Sequence, residues 1–553
     1  MQLACRTCHS GFEVTDADLA FYDKVSPVFA GKKELIPPPT LCPECRSRRR
    51  MAFRNERRLY SDHCALCGEE TVSVYTPRRP FNVLCQSCWW GDAWDPLAFG
   101  LAYDLRRPFR EQFQALQARV PRINLVNSNA TNATYCNYST RNRDGYLLVG
   151  CGECEGSYYL NRCWRTVNCM DCSNANSCQL CYELVDCDRC YASAYLRNCS
   201  GATNCFLGYG LRNCSDCFGC VNLSNQRFHI YNVAYLEGEY RQRVTALRAN
   251  LTQSQKTFQN LLTDSTQKSF NGFSAEGCSG DHISNARNAV ACYEVHDAED
   301  CKYCANATRI KDCHDIQYSD GSEMAYEATN NESSYSAFYH TCWGCRDIFF
   351  CNLGFHSESL FGCVGLKRAK YCILNKQYSK AEYEELVPRI IAKMREDGEW
   401  GEFFDPSLSP FGYNETVAQE YYPLEKEEAL RMGFNWSDYV APPPQVEKIV
   451  KASQLPDSIS DVPDVILEWA VECEVSGRPF RIIKQELRFL REQGLPLPRR
   501  HPDVRHMDRM KLRNPRKLFS RSCMQCAKPI QTTYAPERPE KVVCEECYLR
   551  EVY

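Results

Sequence analysis

The chain has 553 residues, 66 Lys and Arg against 69 Asp and Glu, a net charge of −3 and a hydrophobic fraction of 44%. Such a length holds several domains, and no apolar run reaches the roughly 18 residues that would cross a bilayer, so no membrane is expected. The exception to an ordinary composition is cysteine, at 38 residues. Regular CxxC pairs favour metal or thiol chemistry in a reducing compartment over a secreted disulfide framework. The start, Met1-Gln-Leu-Ala-Cys5-Arg, lacks the basic and apolar pattern of an export signal, and the expected location is cytoplasmic.

Residues 1–98 read as a double zinc-ribbon module. Cys64, Cys67, Cys85 and Cys88 form two CxxC pairs separated by 17 residues, a four-thiolate spacing in which each pair turns two sulfurs to one ion. Cys5 and Cys8 with Cys42 and Cys45 predict a second site across a longer gap. Four thiolates leave no position for water, so these sites stabilise the fold. Between the CxxC pairs, residues 46–58 carry seven Arg against one Glu. Arg46, Arg48, Arg49, Arg50, Arg54 and Arg57 could present planar forks to phosphate oxygens, with Trp89, Trp90 and Trp94 available to stack on bases. The competing reading pairs these arginines with the acidic middle of the chain and puts the tryptophans in a core.

Residues 99–124 are expected to be a helical connector, and 125–235 the first half of a β-solenoid. Cysteines fall there on a nine-residue ladder, one column through Cys151, Cys169, Cys178, Cys187, Cys205 and Cys214 and another three residues later. Asn or Asp often precedes the first column and an aromatic often follows the second. A short fixed period with turn-forming residues predicts stacked coils. Nine residues are few for one coil, so about 18 are expected, with cysteines acting as small core hydrophobes. Metal clusters or a redox store are the alternative. A helical insert is expected at 236–270 and the second solenoid half at 271–378. Phe218 to Tyr240 there repeats as Phe361 to Tyr383, an offset of 143. In this half, His296-Asp297 and His314-Asp315 are 18 apart and would stack on 18-residue coils. They are the weak catalytic candidates, a pairing suited to acid–base work in a carbohydrate-active β-helix enzyme, against the plainer reading of a turn that recurs with the rung.

A helix and a Pro/aromatic-rich tract follow at 379–440, a linker at 441–464, and a C-terminal module at 465–553. The module repeats the first: Cys42 and His501, Asn55 and Asn514, Cys64 and Cys523, and Cys88 and Cys547 are each 459 apart. Cys523, Cys526, Cys544 and Cys547 make a third tetrad. The fourth is degenerate, because Ser476, His501 and Val504 stand where Cys8, Cys42 and Cys45 would be, leaving Cys473 alone. Three Zn2+ ions are therefore expected. Residues 499–521 hold nine Lys and Arg against two Asp, and Arg505, Arg509, Arg513, Arg516 and Lys517 complete the proposed phosphate-binding set.

Several stretches of the chain resemble an uncharacterised family of cysteine-rich zinc-ribbon proteins of small-genome candidate bacterial lineages. They are Cys42-Pro-Glu-Cys45-Arg, Phe53-Arg-Asn-Glu56, Cys85-x-x-Cys88-Trp-Trp, Phe361-Gly-Cys-Val-Gly-Leu366, Ser407 to Thr416 and Cys544-Glu-Glu-Cys547-Tyr. The resemblance supports the domain layout and brings no activity. The fold class expected is mainly β with some α, a cysteine-laddered β-solenoid flanked by duplicated zinc-ribbon modules. The function expected is non-enzymatic zinc binding, with the basic heads docking RNA or DNA backbone and the solenoid as rigid scaffold. The alternatives are a thiol-based metal or redox protein and a protein–protein docking scaffold. Oligomeric state is open.

Overall fold

In the middle of the chain every third residue is left-handed: Tyr138, Arg141, Asp144, Leu147, and so on through Asn168, Asp171 and Asn174. In a computed structural model of the chain, residues 1–323 and 325–552 are described, the side chains of 318–323 and 330–333 excepted. Each left-handed residue turns the backbone, and the next side chain points inward. The frequent Asn and Asp are explained here, because they tolerate this conformation better than other side-chain-bearing residues. Four such triplets close a coil, and pairing is parallel between residues 12 apart: Asn137 with Val149, Val149 with Asn161, Gly152 with Trp164.

The expected 18-residue coil is therefore corrected to 12. Residues nine apart are three triplets apart, so both point inward but from different sides of the coil. The nine-residue ladder reported the triplet and not the rung. True stacking neighbours are Cys151 with Cys163, Cys178 with Cys190 and Cys292 with Cys304. The same correction parts the two histidines. His296 lies opposite Ser284 and Thr308, and His314 opposite Lys302 and Tyr326.

Inward thiols also answer a hydrogen-bonding need. The ladder bonds use the amides of the paired and left-handed residues, leaving the inward residue's N–H. Cys163 N–H donates to Cys151 Sγ at 3.4 Å, Leu211 N–H to Cys199 Sγ at 3.4 Å and Gly354 N–H to Cys342 Sγ at 3.3 Å. Where serine occupies the position it does the same: Cys169 N–H donates to Ser157 Oγ and Cys205 N–H to Ser193 Oγ, both at 3.1 Å. The thiols donate back to the carbonyl two residues earlier, Cys151 to Val149 at 3.3 Å and Cys199 to Arg197 at 3.2 Å. Cysteine is small and apolar enough for the core yet still a weak donor and acceptor.

There are two such stacks. The first runs from Asn127–Ser128 to Arg227–Ile230 and the second from Gly272–Glu276 to Lys370–Ile373. Each ends in an antiparallel hairpin and an asparagine that closes on the previous coil. Asn232 Oδ1 accepts from Val221 N–H at 2.9 Å, and Asn375 Oδ1 from Val364 N–H at 2.8 Å. Equivalent residues are 144 apart early on (Tyr159 and Tyr303, Asp171 and Asp315) and 143 apart later. The lost residue is where Thr329 pairs with His340, 11 positions on.

Helices Glu237–Ala249 and Leu251–Asp264 brace the first stack, and Lys380–Glu396 the second. The last of these helices buries Tyr383, Val387, Ile390, Ile391 and Met394 along one face. Part of the stretch expected to be a linker is a strand, Lys448–Lys451, parallel to Trp469–Glu472 in the C-terminal module. The modules dock crosswise. The N-terminal module shares a core with the second stack, Phe21 and Tyr22 beside Tyr326 and Phe349. The C-terminal module shares one with the first, Phe489 and Leu487 beside Tyr159 and Tyr182.

Candidate metal centres

Each tetrad is built from a hairpin and a helix start. Antiparallel strands Gln2–Ala4 and Gly11–Glu13 carry Cys5 and Cys8 in their turn, strands Tyr60–His63 and Glu70–Ser73 carry Cys64 and Cys67, and Phe519–Ser522 and Pro529–Thr532 carry Cys523 and Cys526. The fourth residue after the first thiol is left-handed in all three: His9, Gly68 and Ala527. Its N–H donates to the carbonyl of Cys5, Cys64 or Cys523, at 2.9 Å each time, which folds the two sulfurs onto one side. The second thiol pair opens a helix. Cys42 caps Pro43–Met51, Cys85 caps Gln86–Trp90, and Cys544 precedes Glu545–Val552.

The four sulfurs of each group lie within 4.8 Å of one another. The Sγ–Sγ separations are 3.7 Å for Cys8 and Cys42, 3.9 Å for Cys67 and Cys85 and 3.8 Å for Cys526 and Cys544. A tetrahedron with zinc–sulfur bonds of about 2.3 Å has an edge of about 3.8 Å, so the donor set fits zinc. Backbone amides favour thiolate. Burial pushes the Cys64 thiol up, but N–H groups of Cys67, Cys85 and Leu66 outweigh it and hold it at about 6. Cys523 is likewise held at about 6, against burial, by the N–H groups of Cys544, Cys526 and Gln525. Cys8, Cys67 and Cys526, the matching member of each set, face solvent.

The fourth hairpin keeps this frame without its ligands. Gly477 is left-handed and donates to the Cys473 carbonyl at 3.0 Å. His501 caps the Pro502–Lys511 helix, its Nδ1 accepting from Asp503 N–H at 3.1 Å. The remaining histidine nearby, His506, faces Glu420 at 3.1 Å. Three tetrads are thus present, matching the expected number of sites. Among the described residues the interior cysteines form no group of three or more ligand atoms within 4.8 Å, and all 38 cysteines are free of disulfides. Burial pushes the thiols of Cys151, Cys169 and Cys342 well up, which makes them poor thiolates.

The arginines expected to face phosphate are turned inward. Arg46 and Arg50, each 1% exposed, share Asp315 at 2.8 and 3.4 Å. Arg49 binds Glu327 at 2.6 Å and Glu402 at 3.0 Å. At the other end, Arg505 and Arg509, 4% and 1% exposed, share Asp171, and Arg509 also reaches Glu183 at 3.4 Å. Arg513 engages Asp186 at 3.1 Å and, with Arg516, Glu294. Arg54 is tied to Glu56 and lies 3.6 Å from the centre of the Tyr138 ring. Arg57 is half-buried, its guanidinium pulled down by burial against the attraction of Asp503 and Glu420. Arg48 meets Glu44 at 3.6 Å, and Lys517 remains half-exposed, 3.9 Å from the same carboxylate.

The proposed base-stacking set is divided, with Trp89 and Trp94 taken into the fold and Trp90 left 47% exposed. Trp89 is fully buried and its carbonyl accepts from Trp94 Nε1 at 3.0 Å; Trp90 packs edge-on against Phe355. The catalytic candidates diverge. His314 stacks on Phe21 at 3.7 Å while Asp315 holds arginines. His296 bonds Ser284 at 2.5 Å and Asp297 accepts from Asn285 at 3.2 Å.

The carboxylates of this lattice went unread in the sequence. Asp171 and Asp315, and Glu183 and Glu327, are 144 apart, the interval that relates the two stacks, while Arg46 and Arg505, and Arg50 and Arg509, are 459 apart. The two intervals together are the signal that would have paired them.

No protein-family model matches the chain, and no curated protein does. Among solved structures, one match is a crystal structure described as that of an acetyltransferase from Desulfovibrio desulfuricans G20. It is 8% identical, spans 49% of this chain and 82% of that one, and has a TM-score of 0.10. A likeness at that score carries no argument about fold or function.

Proposed function

We propose that the chain is a non-enzymatic, cytoplasmic zinc protein in which two metal-bound modules clamp a two-part β-solenoid, forming a rigid scaffold that docks a protein partner. It would belong with the cysteine-rich zinc-ribbon proteins that its motifs resemble. The observation that carries the reading is the pair of guanidinium–carboxylate lattices. They commit the basic segments to holding the modules on the stacks, so the modules act as structural clamps. The tetrads support it as well, because four thiolates complete a zinc ion's coordination and leave no site for substrate.

The same lattices argue against the reading of the heads as an RNA or DNA backbone interface, since the arginines it relies on are buried against carboxylates. The test is twofold. Native mass spectrometry of the purified chain should show three zinc ions. Fluorescence anisotropy with generic RNA and DNA across a salt series should show no binding that depends on Arg46, Arg49, Arg505 or Arg509. Micromolar affinity with a steep salt slope, lost on substituting those residues in a chain that remains folded, would overturn the scaffold reading in favour of nucleic-acid docking.

A further inference from the structure

Where the N-terminal module, the connector, the start of the first stack and the later coils of the second meet, a cavity of about 10 Å³ is lined by Arg122, Asn137, Tyr138, His340, Thr341 and Asn352, among others. Arg122 is 2% exposed. Its backbone belongs to the short strand Arg122–Ile123, paired with Val83–Leu84. Its Nε and Nη1 have no hydrogen-bond partner in the protein. The guanidinium lies over the Phe81 ring at 4.2 Å and further from the Tyr75 ring at 5.8 Å. Among the described residues the group acting on its charge is the Tyr75 phenol, by attraction and a side-chain hydrogen bond, and burial keeps that phenol protonated. No carboxylate among them pairs with it, whereas Arg46, Arg49, Arg50, Arg505 and Arg509 all have one.

Burying an unpaired cation is strongly unfavourable. The rest of the cavity supplies no negative charge. Burial pushes the His340 imidazole down to about 3, and Arg54 and Arg122 act in the same direction, so the ring is neutral. Nδ1 of His340 lies 3.3 Å from Asn352 Oδ1 and from Thr341 Oγ1. Asn137 is already spent, accepting from Val126 N–H at 3.1 Å and donating to the Asn55 carbonyl at 3.2 Å.

We propose that this junction is a binding site for one small monovalent anion of halide type, held by the Arg122 guanidinium. The volume admits one water-sized guest, which excludes sulfate, phosphate and carboxylates. Since the cavity wall joins the N-terminal module, the connector and both stacks, the anion acts as a keystone between them.

The test uses the full zinc-loaded chain. Crystals grown in bromide in place of chloride should give an anomalous peak beside Arg122. In solution, the native Tm should rise with chloride at constant ionic strength made up with gluconate, as expected for a ligand that binds only the folded state. Arg122→Met should abolish both the peak and the chloride response, while being at least as stable as the native chain in gluconate. An ordered water in place of a bromide peak, or equal chloride responses in the native chain and the Arg122→Met variant, would overturn the proposal. If Arg122→Met does not fold, the bromide peak in native crystals decides alone.

Discussion

The two ends of the molecule dock on the stacks in the same way and differ in how many cysteine tetrads they carry. Arg46 and Arg50 around Asp315 have their counterparts in Arg505 and Arg509 around Asp171. Tyr303 and Tyr159 lie beneath the first arginine of each pair, at 5.4 and 4.6 Å. Yet the N-terminal module carries two tetrads and the C-terminal module one. The hairpin without ligands retains its turn bond and packs Val471, Phe480, Ile482, Leu487 and Leu490 in a core. Docking therefore belongs to the guanidinium–carboxylate lattice, and metal belongs to the local fold of the hairpins. A hairpin keeps its frame without a tetrad when its apolar core suffices.

The largest test of that division is chelation. A structural zinc site is worth on the order of 10 kcal/mol of folding free energy at neutral pH. Stripping metal should unfold both hairpins of residues 1–98 but spare the Trp469–Arg481 hairpin, read by limited proteolysis with mass spectrometry. Simultaneous loss of the ligand-free hairpin would show that metal and docking are one cooperative unit. The next effect in size comes from the lattices. Asp315→Ala and Asp171→Ala should each destabilise by about 3–5 kcal/mol, because each leaves two guanidinium groups buried around a missing charge. Urea unfolding should give similar losses for the two; a near-neutral result at either would break the equivalence of the ends.

Much of this comparison is legible in the sequence itself. The tetrads can be read from spacing because a two-residue knuckle constrains its own geometry, and the 459-residue register exposes the degenerate site. The coil length cannot, because cysteine occupies only part of the inward positions. Leu160, Ala175, Leu184, Leu196 and Gly208 fill others, and the cysteines left over emphasise a nine-residue interval. The arginines mislead for a different reason. A run of like charge is the same string whether it faces water or a set of carboxylates more than a hundred residues away, and only the fold brings Asp171 and Asp315 to it.

A smaller asymmetry should appear in acid. Burial holds the His501 imidazole down at about 4, with Asp503 pulling up and Arg478, Arg58 and Arg505 pushing further down. Its pKa is lower folded than unfolded, so its neutral form favours folding above about 6.5 and that contribution is lost as pH falls towards 4. The loss is at most about 3 kcal/mol. His501→Asn keeps a capping side chain and should flatten the pH dependence of amide exchange in the Pro502–Lys511 helix. An unchanged profile would mean that the ring is not buried neutral. The N-terminal module has Cys42 at this position, a thiol held down at about 4 chiefly by its hydrogen bond with Cys45, so what separates the two ends in acid is an imidazole at one and a thiolate at the other.

The smallest effect compares the two uses of cysteine. In the tetrads sulfur is wanted as thiolate, and serine cannot replace it; in the stacks it is wanted as a small acceptor, and serine already stands in at Ser157 and Ser193. Cys151 is the place to separate these roles, since its Sγ receives the Cys163 N–H at 3.4 Å and it is fully enclosed. Cys151→Ala should cost about 1–3 kcal/mol, the penalty of leaving a buried donor unsatisfied, while Cys151→Ser should cost less because the acceptor is kept. Cys523→Ser should instead remove one zinc from the native mass spectrum. If Cys151→Ala is the milder of the two interior changes, the thiols serve the core by their apolar volume alone, and their alignment with the inward amides has no energetic weight.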